Sequence, residues 1–295
     1  LDGTLFPYTT LFRSELMFRR YGHALVWVAA LVVALAAGCL GSADANAPVS
    51  TPTAPQVAAD PNDPNALDRV LQDLQDQAAG LKSYQVNMDY VFKQPLLESQ
   101  QRRTGVLYYA KLDGRSSLRI DFQTLQQDDE KPQTYRQQYL FDGVWLWEID
   151  YQLKTATRRQ LTEPNRPVDA FSLASEHVPV VGFSKVEDLR RQFEITLVPE
   201  PPAAPTPRRH LHLKVKPDSV YKDDYVTIDV WIDSKIGLPV QVEAVTPEED
   251  AYVIRLTDPK VNTELDLKLF QVELPRDFSV EVIPLQRATT AAPGA

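Results

Sequence analysis

The 295-residue chain holds a single cysteine, Cys39. One thiol excludes an internal disulfide and any cysteine-based zinc cluster. Four histidines leave little for a histidine-rich metal site. Glycine is scarce, with 11 residues against 23 prolines. Neither G-x-G-x-x-G nor G-x-x-x-x-G-K-[ST] occurs, which argues against a phosphate-cradling loop. G-x-S-x-G and H-E-x-x-H are missing too, so two hydrolase signatures are absent. Basic residues are outnumbered 31 to 40, and the net charge of −9 argues against nucleic acid as a partner. What is present suits a globular protein: 43% hydrophobic and 24% charged residues, in a chain long enough for one large domain or two small ones.

The N-terminus divides into three pieces. Thr4 to Ser14 reads TLFPYTTLFRS, which is similar to the in-frame translation of a widely used sequencing-library adapter. Residues 1–16 are therefore expected to be an assembly artefact, with Met17 as the start. Arg19 and Arg20 then supply a positive n-region, and Ala24 to Ala37 is an uninterrupted apolar run of fourteen residues. A bilayer-spanning helix needs about 20, so a secretory signal fits better. The run ends Leu35-Ala36-Ala37-Gly38-Cys39, which resembles the lipobox of bacterial lipoproteins; it departs at Ala36, where a branched aliphatic is usual. The resemblance implies a signal peptide over 17–38 and a diacylglycerol on the Cys39 thiol. Without Arg13, Arg19, Arg20, Asp2 and Glu15, 28 basic residues face 38 acidic ones. So acidic a surface does not adhere to anionic lipid, and the anchor must hold the protein at its membrane. Residues 39–62 are rich in Ala, Pro, Ser, Thr and Asp and read as a flexible tether.

From residue 63 the chain reads as one domain, 63–287, with a small polar tail over 288–295. Asp63-Pro64 gives a helix N-cap followed by proline at the first helical position. Ala66, Leu67, Val70, Leu71, Leu74, Ala78 and Leu81 then repeat at three-and-four spacing, and Gly80 ends the helix. After it the period changes to two. Tyr84, Val86, Met88, Tyr90 and Phe92 alternate with mostly polar residues, and strands are expected at 105–110, 117–122, 134–141, 144–149 and 155–161. Asp142-Gly143 marks a tight hairpin. The segment Glu163 to Lys185 is apolar but broken by Pro164, Pro167 and Pro179. A short helix at 186–192 follows, then strands at 193–198, 210–216, 225–232, 239–245, 252–256, 265–270 and 278–283. Helices do not alternate with strands, so the expected fold is α+β, a single curved antiparallel sheet with covering helices.

The ordered set of segments resembles the LolA/LolB-type outer-membrane lipoprotein-sorting family. It comprises the helix before Tyr84, Thr104-Gly105-Val106-Leu107-Tyr108-Tyr109, Leu118-Arg119-Ile120-Asp121-Phe122 and Phe141-Asp142-Gly143-Val144-Trp145-Leu146-Trp147. Val230-Trp231-Ile232-Asp233, Gly237-Leu238-Pro239, Asn262 and Leu274-Pro275 continue it to about Pro284. The resemblance implies an incomplete β-barrel lidded by helices, with an apolar interior for acyl chains, no catalytic residues and no cofactor. It implies a lid at Phe171, Leu173, Val180 and Phe183, with Arg119 locking it. Met88, Tyr90, Phe92, Val106, Tyr108, Ile120, Phe141, Trp145 and Trp147 are the expected cavity lining. A soluble shuttle of that family carries no anchor, so this chain reads as a tethered protein of the cell envelope, facing the periplasm from the outer membrane. Lipid or lipoprotein acyl chains are the expected partners. The alternative is an envelope stress-sensor or structural lipoprotein that uses the same fold to contact another protein.

Residues with catalytic or metal-binding chemistry are thinly spread. His210 and His212 lie two apart on an expected strand and share a face, but no third histidine or cysteine is near, so they read as packing. His177 reads as a loop residue. Asp128-Asp129-Glu130, Asp223-Asp224 and Glu248-Glu249-Asp250 fall in expected turns, which are solvated and lack the shielded cleft that acid–base work needs.

Overall fold

The computed structural model describes residues 65–112, 115–165, 167, 186–199 and 207–285. Cys39, His177, the signal and tether segments, the tail and the lid residues Phe171, Leu173, Val180 and Phe183 lie outside them.

Helix α1 spans Ala66–Ala79. Val70, Leu71, Leu74 and Ala78 are buried along one face, as the three-and-four spacing requires. Its cap differs from expectation: Asn65, not Asp63, occupies the N-cap position, without a capping side-chain bond. Among the described residues twelve strands follow, with a short α-helix between the sixth and the seventh. They are β1 (Ser83–Gln94), β2 (Ser99–Leu112), β3 (Arg115–Gln127), β4 (Gln133–Phe141), β5 (Trp145–Asp150), β6 (Thr155–Gln160), helix α2 (Val186–Gln192), β7 (Phe193–Val198), β8 (Arg208–Val215), β9 (Thr227–Asp233), β10 (Pro239–Val245), β11 (Ala251–Val261) and β12 (Ser279–Ile283).

All twelve join one open sheet in the order β12-β6-β5-β4-β3-β2-β1-β11-β10-β9-β8-β7. The fold is α+β, as expected, with one departure from a purely antiparallel sheet. β12 pairs with β6 in parallel, Ser279 beside Thr155 through Ile283 beside Arg159. The chain reaches that position by leaving β11 in the middle of the sheet and travelling to its far edge. On the way Leu267–Phe270 forms a 3₁₀ turn, where a strand was expected. The Asp266 carboxylate accepts from the Lys268 backbone N–H at 3.0 Å and caps that turn, which explains why an alternating sequence fails to extend.

Turn chemistry sets the register. At β4–β5 the Asp142 carboxylate accepts from Val144 N–H at 2.9 Å and Trp145 N–H at 2.7 Å, while Gly143 takes φ of 94°. Gly105 meets a different need. β2 shifts register against β3 between Thr104 and Gly105, and a Cβ there would sit 2.1 Å from the Asp121 carbonyl oxygen. Asn262, at φ of 54°, holds α1 to β1. Its Oδ1 accepts from Lys82 N–H at 2.6 Å and its Nδ2 donates to the Gly80 carbonyl at 3.1 Å.

One large core joins α1 and α2 to a single face of the sheet. It runs from Leu211 and Leu213 through Val230, Ile254 and Met88 to Leu107, Ile120 and Tyr139.

Candidate functional site

Residues opposite one another across an antiparallel pair share a face. The register therefore sorts each expected lining residue to one side. Met88 faces Gly105, Tyr90 faces Arg103 and Phe92 faces Gln101. Leu107 faces Ile120, and Gly105 faces Phe122. Ile120 faces Tyr139, and Leu118 faces Phe141. Met88, Tyr90, Phe92, Ile120 and Phe141 thus lie on the face that carries the helices. Their rings pack as a band: Tyr90 to Phe122 at 6.2 Å, Phe122 to Tyr139 edge-on at 6.2 Å, and Phe92 stacked on Tyr252 at 4.9 Å.

Val106, Tyr108, Trp145 and Trp147 fall on the opposite face, and their assignment to the same lining is corrected. Val106 faces Asp121 and Tyr108 faces Arg119. Arg119 faces Leu140, which faces Trp147. The buried partners on the helix side of β2 are instead Leu107 and Tyr109. The Arg158 guanidinium covers both indoles, 4.0 Å from the Trp145 ring centroid and 5.3 Å from that of Trp147.

Arg119 is also on this outer face. Its Nε donates to Asp121 Oδ1 at 2.8 Å, its Nη2 lies 2.7 Å from Asp121 Oδ2, and its Nη1 donates to the Leu269 carbonyl at 2.7 Å. It pins the 3₁₀ turn of the C-terminal segment; the lid it was expected to lock lies outside the described residues.

The sequence reading missed a polar cluster inside the aromatic band. Arg103 is only 1% exposed. Its Nη1 donates to Gln137 Oε1 at 2.6 Å and its Nε to Gln101 Oε1 at 3.2 Å. Its guanidinium carbon lies 5.4 Å from the Tyr135 ring centroid and 5.9 Å from that of Phe122. The Tyr135 hydroxyl donates to Asp150 Oδ2 at 2.6 Å, and Asp150 Oδ1 accepts from the backbone of Gln152 and Leu153, both at 2.9 Å. Burial and the Asp150 hydrogen bond push the Tyr135 phenol up to about 12. Burial likewise raises Tyr90 and Tyr139 well above the ordinary phenol range, with Arg103 pulling both the other way. The available signal was parity: Arg103, Gly105, Leu107 and Tyr109 alternate along β2.

His210 Nε2 and His212 Nδ1 both meet Asp229 Oδ1, at 2.7 and 2.9 Å, on the outer face of β8 and β9, and His210 stacks on Trp231 at 4.3 Å. Among the described residues no group of three or more His, Cys, Asp or Glu is placed to hold a metal. Asp128 organises a turn: it accepts from Gln100 N–H at 2.7 Å and from the Ser99 hydroxyl at 3.0 Å, and that backbone bond lowers its pKa. No described helix is long and apolar enough to cross a membrane.

No protein-family model matches this chain, and no curated protein matches it in sequence. Some solved structures resemble it in part. It is similar to an uncharacterized conserved protein from Thermus thermophilus, with a TM-score of 0.45 and 8% identity over 75% of this chain and 99% of that one. The lipoprotein LppX of Mycobacterium tuberculosis gives a TM-score of 0.43 and 13% identity over 70% of this chain and all of that one (100%). A LolA superfamily protein from Nitrosomonas europaea gives 0.32 and 13%, over 70% and 97%.

Proposed function

We propose that this chain is a lipid-anchored protein of the bacterial cell envelope that holds acyl chains of lipids or lipoproteins against the helix-bearing face of its sheet. Its activity on this reading is binding, not catalysis. The observation that carries it is an aromatic band on the helix-bearing face of a sheet wider than the described helix α1 is long. Twelve strands at about 4.8 Å spacing make a sheet on the order of 50 Å wide, whereas the fourteen residues of α1 extend about 21 Å. The two described helices carry ion pairs and contacts to the β7–β10 side, while the end of α1 is also clamped to β1 by Asn262. Asp73 of α1 pairs with Arg209 at 2.7 Å, Asp68 pairs with Arg190 of α2, and the Gln77 side chain lies against Gly237 in the β9–β10 turn. The band of Tyr90, Ile120, Phe122, Tyr139 and Phe141 lies farther along that face, buried, and would form the apolar lining around an acyl chain.

Burial of acyl methylenes is worth about 0.8 kcal/mol each, so ten supply roughly 8 kcal/mol before association costs, the range of micromolar affinity. The lipobox-like ending at Cys39 supports anchoring, with the protein facing the periplasm and serving outer-membrane lipoprotein sorting.

The test is displacement of a fluorescent fatty acid from the delipidated full chain, beside mass spectrometry of lipid that co-purifies. Saturable binding is expected. Ile120→Trp, which fills the band, should weaken it, and Trp147→Ala on the outer face should leave it unchanged. A folded protein with no saturable lipid binding would overturn the reading in favour of a protein-contact role for the same fold.

A further inference from the structure

We propose that Arg103 is the recognition point for the anionic head, carboxylate or phosphate, of the acyl ligand. This rests on the acyl-binding reading above and specifies the ligand class it takes. An arginine keeps its charge at every accessible pH, and buried charges are normally paired. Arg103 is the largest of the fully buried side chains. Yet among the described residues it meets no carboxylate by hydrogen bond or ion pair; its two hydrogen bonds go to the neutral amides of Gln101 and Gln137. Those bonds engage two of the five guanidinium N–H groups, leaving three without an acceptor among the described residues. Asp150 lies opposite Gln137 across β4–β5, but among the described residues it joins the cluster's hydrogen bonds through the Tyr135 hydroxyl, and its other oxygen already takes two backbone N–H groups.

The surroundings fit an amphipathic anion. The guanidinium lies against the Tyr135 and Phe122 rings, within the aromatic band proposed to receive the chain. Along the same face of β2 follow Gly105, Leu107 and Tyr109, so an apolar row of about 20 Å leads away from the charge. A guanidinium pairs with a carboxylate or phosphate through two parallel N–H donors, and in an apolar setting that pair is strong. A neutral ester or alcohol with the same chain would leave the cation as it stands.

The experiment compares three probes on the delipidated full chain: palmitate, palmitoyl lysophosphatidate and methyl palmitate. The expected result is that at least one anion binds about tenfold more tightly than the ester. Whichever anion is preferred identifies the source of the head group. Arg103→Gln should remove that preference while leaving ester binding in place, and Arg103→Lys should retain part of it. The wild-type comparison needs no variant, so it stands even where a substitution fails to fold. Equal binding of anions and ester, or a preference that survives Arg103→Gln, overturns the Arg103 assignment while leaving acyl binding intact. Failure of all three probes to bind overturns the acyl-binding reading itself, and the assignment with it.

Discussion

Gly105→Ala puts the central strand packing to a direct test. A Cβ at this position would lie 2.1 Å from the Asp121 carbonyl oxygen and 2.9 Å from both the Asp121 carbonyl carbon and Phe122 Cα. All three atoms are backbone, so no side chain can rotate away. β3 must retreat from β2 by about 1 Å, which stretches neighbouring ladder hydrogen bonds past their useful range. Two such bonds at about 1 kcal/mol each, with the strain of overpacking, give a loss of about 3 kcal/mol. For a domain of this size that corresponds to a fall of roughly 6–12 °C in Tm. Urea unfolding followed by circular dichroism measures it. Gly80→Ala is the internal control. The nearest atoms to its Cβ are the Gln77 and Asp76 carbonyl oxygens at 3.6 and 3.7 Å, and its φ is −78°, so stability should hold or rise slightly. A loss below about 1 kcal/mol for Gly105→Ala, or equal losses at both glycines, would refute the close-approach argument.

Tyr84 is buried, and its hydroxyl has no hydrogen-bond partner among the described residues. Tyr84→Phe should therefore be neutral or stabilise by up to about 1 kcal/mol, and a clear loss in urea unfolding would reveal a partner for that hydroxyl. Asn262→Ala removes the acceptor for Lys82 N–H and the donor to the Gly80 carbonyl, and places alanine at φ of 54°. A loss of about 2 kcal/mol is expected, and a change under about 0.5 would count against the clamp. For Tyr135 the folded pKa lies above the ordinary 10.0, at about 12, through burial first and the Asp150 bond second. Its stabilising contribution is complete below pH 10 and disappears as pH rises through about 12. Unfolding free energy should fall across that window, less steeply in Tyr135→Phe; identical slopes in both proteins would contradict the assignment.

Alternation and spacing reveal much of this fold where one side of an element is wet. The buried stripe of α1 and the limits of β7 and β10 follow from it. Polar strand ends escape it: Ser99 to Thr104 continue β2, and Leu125 to Gln127 continue β3, because pairing with neighbours, not side-chain hydrophobicity, holds them. Arg103 was hidden for a related reason. A charged residue in a polar run reads as solvated, and only its register opposite Tyr90 shows that it is inside. The strand at 278–283 was legible, but the parallel pairing of β12 with β6 had no local signal, since it depends on a long crossover.

The errors of side at Val106, Tyr108, Trp145 and Trp147 have one physical source. The chain after β11 returns across the outer face of the sheet, over β3. It is pinned to that face where Arg119 donates to Leu269, and tied at the far edge by Lys154 with Asp277 and Tyr151 against Phe278. β12 then extends the same edge. Strands covered on both sides have no polar face, so their sequences lose the alternation that one-sided burial imposes. Gly-Val-Leu-Tyr-Tyr-Ala in β2 and Trp-Leu-Trp in β5 are such runs, and either parity could have been chosen for the ligand. The helices decide it. α1 and α2 lie on the Leu107 side, so the face proposed for acyl chains is the one carrying Arg103, Ile120 and Phe122, and the Trp145–Arg158–Trp147 stack belongs to the outer layer.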